Sequence, residues 1–248
     1  MLKNLGYSYN RSLISKMHIN NFFETFNNLL NITCKEKKEY RNFDSSTLTK
    51  KIIFLKKRYP NKIKFLYNTL IHTSSFINLF ELSNIRSKAS KILNCPKNDL
   101  IICEHQFRMD YPNDKYHILK PHQDSSFYPQ DRSGLSSLVC NVSLHNISKN
   151  MGSTIIYPFS HKFGKKGYHK TRESKKSSGQ RIIKEFSNNS FDKKIIETKK
   201  GDVTFYHMNL IHSSGINNSN KMRYSAIARI FNPFSSSFNF FEKITKVL

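Results

Sequence analysis

The chain has 248 residues, of which 38% are hydrophobic and 13% aromatic, and this apolar content supports one folded domain and excludes a disordered chain. The formal net charge of +24 would suit a nucleic-acid partner, but the basic residues are dispersed and form no single stripe, so we expect no nucleic-acid partner. The four cysteines lack C-x-x-C spacing, and the N-terminus lacks an apolar leader. No apolar run approaches the about 18 residues that a membrane span needs. We therefore predict a cytoplasmic protein without a membrane span.

The first third of the chain carries a helical pattern. Apolar residues recur at helical spacing from Lys16 to about Cys95. The polar stretch at residues 44–47 offers side chains that cap a helix N-terminus, and Pro60 and Pro96 mark breaks. We therefore predict a series of helices here.

After Pro96 the pattern changes to short β-rich runs separated by turn residues such as Lys200-Gly201-Asp202. The predicted strands are Leu100 to Arg108, His117 to Lys120, Ser137 to Leu144, Ser153 to Tyr157, Lys194 to Thr198, Val203 to Tyr206 and Tyr224 to Phe231. Short strands behind a helical segment predict an α+β fold. Its core is a double-stranded β-helix, of the jelly-roll or cupin-like type, with the N-terminal helices packed on one sheet.

We predict a single domain over residues 1–248, mainly helical over 1–98 and jelly-roll over 99–248. A polar, Lys- and Ser-rich insertion at about 164–194 is predicted to lack secondary structure. Such a segment is typical either of a lid over a site or of a solvated loop, and the sequence leaves both open. The positive charge of the insertion favours an anionic substrate. The sequence does not indicate the oligomeric state.

The run Lys120-Pro121-His122-Gln123-Asp124 ends a predicted strand. Residues i and i+2 share one face of a strand, so His122 and Asp124 are expected to point the same way and to chelate one ion. An imidazole and a carboxylate from a strand end, joined by a histidine from a distant strand, form the facial triad of non-haem iron(II) oxygenases. His212 fits the third position because it follows a β run and opens a polar turn.

Several nearby residues are weaker candidates. Arg223 begins a β run after His212, and a buried guanidinium there suits the distal carboxylate of 2-oxoglutarate, with Arg229 as the alternative clamp. His117 and His207 each lie five residues before a candidate ligand, so strand alternation turns them away from the ion, although His207 keeps the option of a hydrogen bond to a ligand.

Gln106, Arg108 and Asp110 alternate along the strand that precedes the ligand run. Three polar side chains on one face of a strand either line a pocket or form a solvated outer face. The sequence favours neither interpretation, and these residues are not assigned to the site.

Three segments together resemble the phytanoyl-CoA dioxygenase family. They are PHQDSSFYPQD, SLVCNVSLHNISKNMGSTIIYPFSHKFG and GDVTFYHMNLIHSSGINNSNKMRYSAIARI, and the resemblance covers about residues 100–232. Met151 in the Asn-Gly turn and the long insertion after Gly164 fall outside the family pattern. The family carries the block around His161 as a turn after a strand, so a structural role is expected for this histidine.

The resemblance implies an Fe(II)- and 2-oxoglutarate-dependent dioxygenase that hydroxylates a small organic substrate with O2. Succinate and CO2 are the implied co-products, and ascorbate is a candidate reductant. Residue by residue, the family implies His122, Asp124 and His212 as iron ligands, Arg223 as the clamp for the distal carboxylate, and Ser214 as a helper at that carboxylate. Related halogenases carry a small residue in place of the carboxylate ligand, so Asp124 favours hydroxylation.

Two alternatives remain open from the sequence. The charge of +24 would also suit an oxygenase that acts on a nucleic acid or a protein. The second alternative is a non-catalytic jelly-roll binding module. Such a module has no physical need to keep the three metal ligands, the arginine clamp and the serine helper. The identity of the substrate is not predicted.

Overall fold

The computed structural model describes residues 2–35, 47–128, 130–131, 133–172, 179–184, 186 and 191–239. The helices of these ranges are α1 (Leu2–Leu5), α2 (Lys16–Lys35), α3 (Leu48–Arg58), α4 (Pro60–Leu70), α5 (Ser74–Glu81) and α6 (Ser83–Leu93). The strands are β1 (Tyr7–Asn10), β2 (Ile101–Asp110), β3 (Ser137–Ser143), β4 (Thr154–Ile156), β5 (Tyr168–Lys170), β6 (Arg181–Ile183), β7 (Lys194–Ile196), β8 (Val203–His207), β9 (His212–Ser214) and β10 (Arg223–Phe231).

The predicted helical third is confirmed, and its ends follow local chemistry. Thr47 caps α3, because its hydroxyl accepts a hydrogen bond from the Lys50 amide at 3.2 Å. Pro60 lies in the first turn of α4, where an intrahelical N–H is not needed. Asn94 ends α6 in the left-handed conformation, with a φ of 50°. The residues at 44–46, the rest of the predicted cap, lie outside the described residues.

Two antiparallel sheets form the core of the described chain. One has the strand order β1-β8-β3-β10-β2, and the other has the order β7-β4-β9. Strand alternation gives the larger sheet two different faces. Leu138, Cys140 and Val142 of β3 pack against the helices, whereas Val139 and Asn141 point toward the smaller sheet. The predicted jelly-roll with helices on one sheet is therefore confirmed.

Aromatic rings connect the helices to the larger sheet. Phe22 and Phe26 of α2 are fully buried one turn apart, and the ring centres of Phe26 and Phe107 lie 5.2 Å apart in an edge-to-face contact. Phe107 in turn stacks on Tyr224 of the neighbouring strand β10, with 6.0 Å between the ring centres. This cluster leaves the opposite face of the sheet free to carry polar side chains.

Some local predictions were wrong. The predicted strand from His117 to Lys120 does not form, and His122 makes an isolated antiparallel bridge to His212. Pro121 lacks an amide hydrogen, which explains why no continuous ladder precedes His122. The insertion is not wholly without structure, because β5 and β6 pair within it as a hairpin.

Strands β1 and β9 were not predicted, because each is too short to show a β pattern. Both are held by tertiary pairing: β1 forms the edge of the larger sheet beside β8, and β9 pairs with β4. No helix in the described part of the chain is both long enough and apolar enough to cross a lipid bilayer.

The aromatic cluster predicts a stability effect. Phe26→Ala should lower the free energy of unfolding by about 3–5 kcal/mol, because it removes a fully buried ring and leaves a cavity. Phe65→Ala is the matched control, since Phe65 is 68% exposed, and it should change this free energy by less than about 0.5 kcal/mol. Urea unfolding followed by circular dichroism measures both, and equal effects would contradict the assigned packing.

Candidate metal centre

Two histidines from distant parts of the chain are fixed side by side by their own backbones. The amide of His122 donates to the carbonyl of His212, and the amide of His212 donates back, each at 3.0 Å. This bridge places the two imidazole centres 4.2 Å apart. Asp124 opens a single 3-10 turn over Asp124–Ser126, which brings its carboxylate toward both rings. Gln123 is extended, so His122 and Asp124 point the same way as strand alternation predicts, and the turn begins only at Asp124.

The side chains of His122, Asp124 and His212, here called the metal cluster, converge on one point. Asp124 Oδ1 lies 3.5 Å from Nε2 of His122 and 3.5 Å from Nε2 of His212, and one ligand atom from each residue lies within 4.8 Å of the others. Nδ1 of His122 lies 2.8 Å from the Lys120 carbonyl, and Nδ1 of His212 lies 3.0 Å from the Leu210 carbonyl. A carbonyl only accepts hydrogen bonds, so both Nδ1 atoms carry the proton and both Nε2 atoms present a lone pair.

Arg229 holds the second oxygen of Asp124. Its Nε and Nη2 atoms lie 3.1 and 2.7 Å from Asp124 Oδ2, which leaves Oδ1 facing the imidazoles. Burial by itself would raise the pKa of Asp124, but the charge of Arg229 holds it well below the ordinary value. Burial, together with the nearby His122, lowers the pKa of His212 to about 4. At neutral pH Asp124 is therefore ionised and His212 is neutral, which is the protonation state that a divalent metal requires.

The position of Arg229 depends on a β-bulge. The register between β2 and β10 shifts between Ile227 and Arg229, and Glu104 on β2 has a φ of 54°. Nη1 of Arg229 donates to the Glu104 carbonyl at 3.2 Å, and the guanidinium lies 4.5 Å from the Tyr128 ring centre. The pairing of Arg229 with Asp124 favours Arg223 as the 2-oxoglutarate clamp, and the assignment of either arginine stays a prediction.

The other end of the same cavity carries Arg223 and Ser214, with Arg108 and Asp110 beside them. Arg223 is 4% exposed, pairs with Asp110 at 2.5 Å and donates to the Gly152 carbonyl. Arg108 pairs with Asp110 at 2.8 Å and donates to the Ser214 hydroxyl at 3.3 Å. Burial would raise the pKa of Asp110, but the two arginines lower it to about 2. Gln106 and Arg108 therefore line the pocket, and Asp110 pairs there, so the solvated-face interpretation was wrong.

Gln123 does not face the metal cluster. It is 1% exposed, and its side-chain amide donates to the carbonyls of Gly164 and Asn209 at 2.9 and 2.7 Å. Its side-chain oxygen accepts from the Lys166 amide at 2.7 Å. Gln123 thus ties the segment that carries His122 and Asp124, here called the ligand segment, to the start of the insertion and to the turn before His212.

The described part of the insertion lies against the ligand segment. The Ile183 amide donates to the Pro121 carbonyl at 3.3 Å, and the Gln180 side chain accepts from the Lys120 amide at 2.9 Å. The guanidinium of Arg181 lies 5.1 Å from the ring centre of Phe127, and that ring in turn packs edge-on against His122. A role of the insertion as a lid stays a prediction.

The remaining candidate histidines do not belong to the cluster. His117 pairs with Asp114 at 2.7 Å and its side chain is 49% exposed. His161 contacts the Lys3 carbonyl at 3.0 Å and packs on His207, with 5.0 Å between the ring centres. His207 accepts from the Asn209 amide at 3.0 Å. These contacts support structural roles for His161 and His207 and a surface position for His117.

Comparison with known proteins identifies the family. A model of the family described as phytanoyl-CoA dioxygenase (PhyH) matches residues 6–225, nearly the whole chain. The chain belongs to the phytanoyl-CoA dioxygenase family. A search of curated protein sequences gives no match.

Solved structures of similar fold are distant in sequence. The epimerase SnoN in complex with Fe3+, alpha ketoglutarate and nogalamycin RO is 14% identical, with a TM-score of 0.65 over 93% of this chain and 80% of that one. EvdO2 from Micromonospora carbonacea var. aurantiaca is 12% identical, with a TM-score of 0.62 over 93% and 88%. The non-heme monooxygenase ThoJ is 12% identical, with a TM-score of 0.62 over 94% and 76%. At these identities the similarity shows the fold.

The role of Arg229 predicts an effect on metal binding. Arg229→Met should weaken Co(II) binding about 10- to 100-fold, because Asp124 loses the partner that orients it and keeps it ionised. Arg229→Lys keeps the charge, and its Co(II) affinity should lie between that of the unchanged protein and that of Arg229→Met. Arg86→Met is the control, since Arg86 pairs with Glu81 at 2.7 Å between α5 and α6. Anaerobic titration followed by visible absorption measures the affinity, and unchanged affinity in Arg229→Met would rule out the assigned role.

Proposed function

We propose that this member of the phytanoyl-CoA dioxygenase family is an Fe(II)- and 2-oxoglutarate-dependent dioxygenase that hydroxylates a small organic substrate. The single observation that carries the proposal is the convergence of His122, Asp124 and His212 with both imidazole Nε2 atoms unprotonated. Two imidazoles and one carboxylate are the donor set of the non-haem iron(II) facial triad. The donors therefore fit the metal that the family implies.

Arg223 and Ser214 are the proposed partners of the distal carboxylate of 2-oxoglutarate. Both line the cavity that contains the metal cluster. The Nε–H of Arg223 is buried and has no hydrogen-bond partner among the described residues. An unpaired buried guanidinium N–H costs free energy until an acceptor reaches it, and a carboxylate is the acceptor that suits it best.

The charges around the cavity also favour an anionic cosubstrate. Arg108, Arg223 and Arg229 line it, whereas Asp110 and Asp124 supply only two negative charges. A doubly negative dicarboxylate bound together with a divalent metal leaves the net charge of the cavity unchanged. The proposed cosubstrate thus adds no uncompensated charge to a largely buried site.

When bound, iron(II) with 2-oxoglutarate and O2 supplies oxidising chemistry, with succinate and CO2 as co-products. The chain itself holds the ligands, orients the distal carboxylate and limits access of water. The carboxylate of Asp124 supports hydroxylation over halogenation, because related halogenases lack it. SnoN is an epimerase and ThoJ is a monooxygenase, so this fold serves more than one type of reaction. A small-molecule substrate agrees with nogalamycin RO in the SnoN complex.

Several finer points stay predictions. They are the cytoplasmic location, ascorbate as the reductant, the single-domain organisation over residues 1–248 and the absence of a nucleic-acid partner. The oligomeric state is not predicted.

The metal triad predicts the outcome of a turnover assay. Purified protein should convert 2-oxoglutarate to succinate only when Fe(II) and O2 are present, and Asp124→Ala and His212→Ala should reduce the rate at least about 100-fold, because each removes a proposed ligand. His72→Ala is the matched control, because His72 is exposed on the helical side and should keep the full rate. Succinate measured by mass spectrometry decides the outcome. Full turnover in both ligand variants would refute the triad.

The proposed clamp predicts a separate change in KM. Arg223→Lys should raise the KM for 2-oxoglutarate about 30-fold or more, since a buried charged hydrogen-bond pair is worth at least about 2 kcal/mol. The kcat at saturating cosubstrate should fall much less. Arg58→Lys on the exposed end of α3 is the control. If the KM for 2-oxoglutarate did not change, Arg223 would not be the clamp.

A further inference from the structure

A second cavity lies beside the metal centre. The cavity around the metal cluster has a volume of about 50 Å³, whereas the neighbouring one has about 370 Å³ and opens to solvent. The two share Arg108 and Leu119 as walls. Ligand pockets generally measure about 300–1,000 Å³, so the larger cavity has the size for a substrate.

The larger cavity, here called the helix-side cavity, lies between the helices and the edge strand β2. Its apolar walls are Ile63 and Tyr67 of α4, Phe107 and Met109 of β2, and Tyr111 and Leu119 of the segment that follows β2. Aromatic and aliphatic side chains thus surround most of the space. Such walls bind an apolar body and give little specificity for polar groups.

Basic side chains from the two helices stand at the helix-side cavity. Lys56 of α3 lies 3.5 Å from the Tyr111 ring centre and 3.2 Å from Asp114, which fix its position. Lys64 of α4 also lines the cavity and makes no hydrogen bond or ion pair within the described ranges. An ammonium group without a partner beside an apolar space is available to an anionic ligand.

Arg108 connects the helix-side cavity to the metal centre. Its side chain is 18% exposed, and its buried Nε–H has no partner in the described chain. Its Nη2 atom donates both to the Asp110 carboxylate and to the Ser214 hydroxyl. A ligand in the helix-side cavity that extends past Arg108 and Leu119 therefore approaches the proposed iron ligands.

We propose that the helix-side cavity binds the substrate, and that the substrate is an amphipathic acid with an apolar body and one anionic group. The anionic group pairs with Lys64, beside the positive potential of Lys56, and the apolar body contacts the aromatic walls. The carbon to be oxidised lies at the other end, past Arg108. This inference rests on the proposed function, because it assigns a substrate class to the same metal centre.

Another cavity, of about 510 Å³, is the competing location, since it also includes Leu119 and Ser214 in its walls. Ile155 and Ile195 line it too, and they pair across the smaller sheet with each other and with Ser213. Ser213 and Ser214 also line the cavity around the metal cluster, so both of the larger cavities border that centre. Of these two, the helix-side cavity has Arg108 in its wall, with a buried Nε–H that lacks a partner in the described chain, and this unpaired donor favours it.

A binding experiment tests the substrate class. The protein is loaded anaerobically with Fe(II) and 2-oxoglutarate and titrated with phenylbutyrate and with phenylbutanol, its neutral counterpart, by calorimetry. Phenylbutyrate should bind at least about 5-fold more tightly, which is the effect of one partly exposed ion pair. Lys64→Met should remove this preference and leave the affinity for phenylbutanol within about 2-fold. Lys57→Met is the matched control, since Lys57 is exposed on α3 outside the cavity.

A second pair of variants tests the location. Ile63→Trp fills the helix-side cavity and should weaken both probes at least about 10-fold, whereas Ile53→Trp, at a site 41% exposed on α3, should weaken neither. Equal affinity for acid and alcohol, a preference that survives Lys64→Met, or unchanged binding in Ile63→Trp would each overturn the inference. So would the absence of saturable binding.

The two proposals fail separately. Succinate production without substrate, combined with no acid preference, would refute the helix-side cavity and leave the proposed function intact. Selective phenylbutyrate binding in a protein that neither binds 2-oxoglutarate nor forms succinate would refute the proposed function. Binding of the probes is measured without turnover, so neither result depends on the other.

Discussion

The buried pair of Arg229 and Asp124 is the interaction on which the site depends. Asp124 lies in a short turn outside the sheets, whereas Arg229 is on β10, which is bonded to strands on both sides. The rigid sheet therefore sets the direction of a proposed ligand that its own local backbone would hold weakly. Loss of one partner of such a pair generally costs about 3–5 kcal/mol, because the other charge stays buried alone.

The division of the larger sheet into two faces makes this arrangement possible. Its helix-facing side is filled by aliphatic side chains and aromatic rings, which supply most of the apolar burial. The opposite face is thereby free to carry Arg223 and Arg229 as well as Asn141. Each arginine has a carboxylate partner within the described chain, so the charged face is stable without opening the sandwich to water.

Two segments outside the sheets approach the metal centre from different directions. The hairpin of β5 and β6 contacts the ligand segment around Pro121, and Gln123 ties that segment to Gly164. The helices α3 and α4 border the helix-side cavity on the other side of Arg108. The N-terminal helices therefore do more than cover the sheet, since Lys56 and Lys64 line the cavity that we propose for the substrate.

The sequence by itself determined the helical first third, most strands, the family and the His-Asp-His set. These features follow from residue periodicity and from ligand types in a fixed order, which are local in the chain. Only the tertiary structure decided that a 3-10 turn presents Asp124, that Arg229 holds it, and that Arg108 and Asp110 face inward. Those outcomes depend on strand pairing and on the bulge at Glu104. Contacts between residues more than a hundred positions apart have no signature in a single sequence.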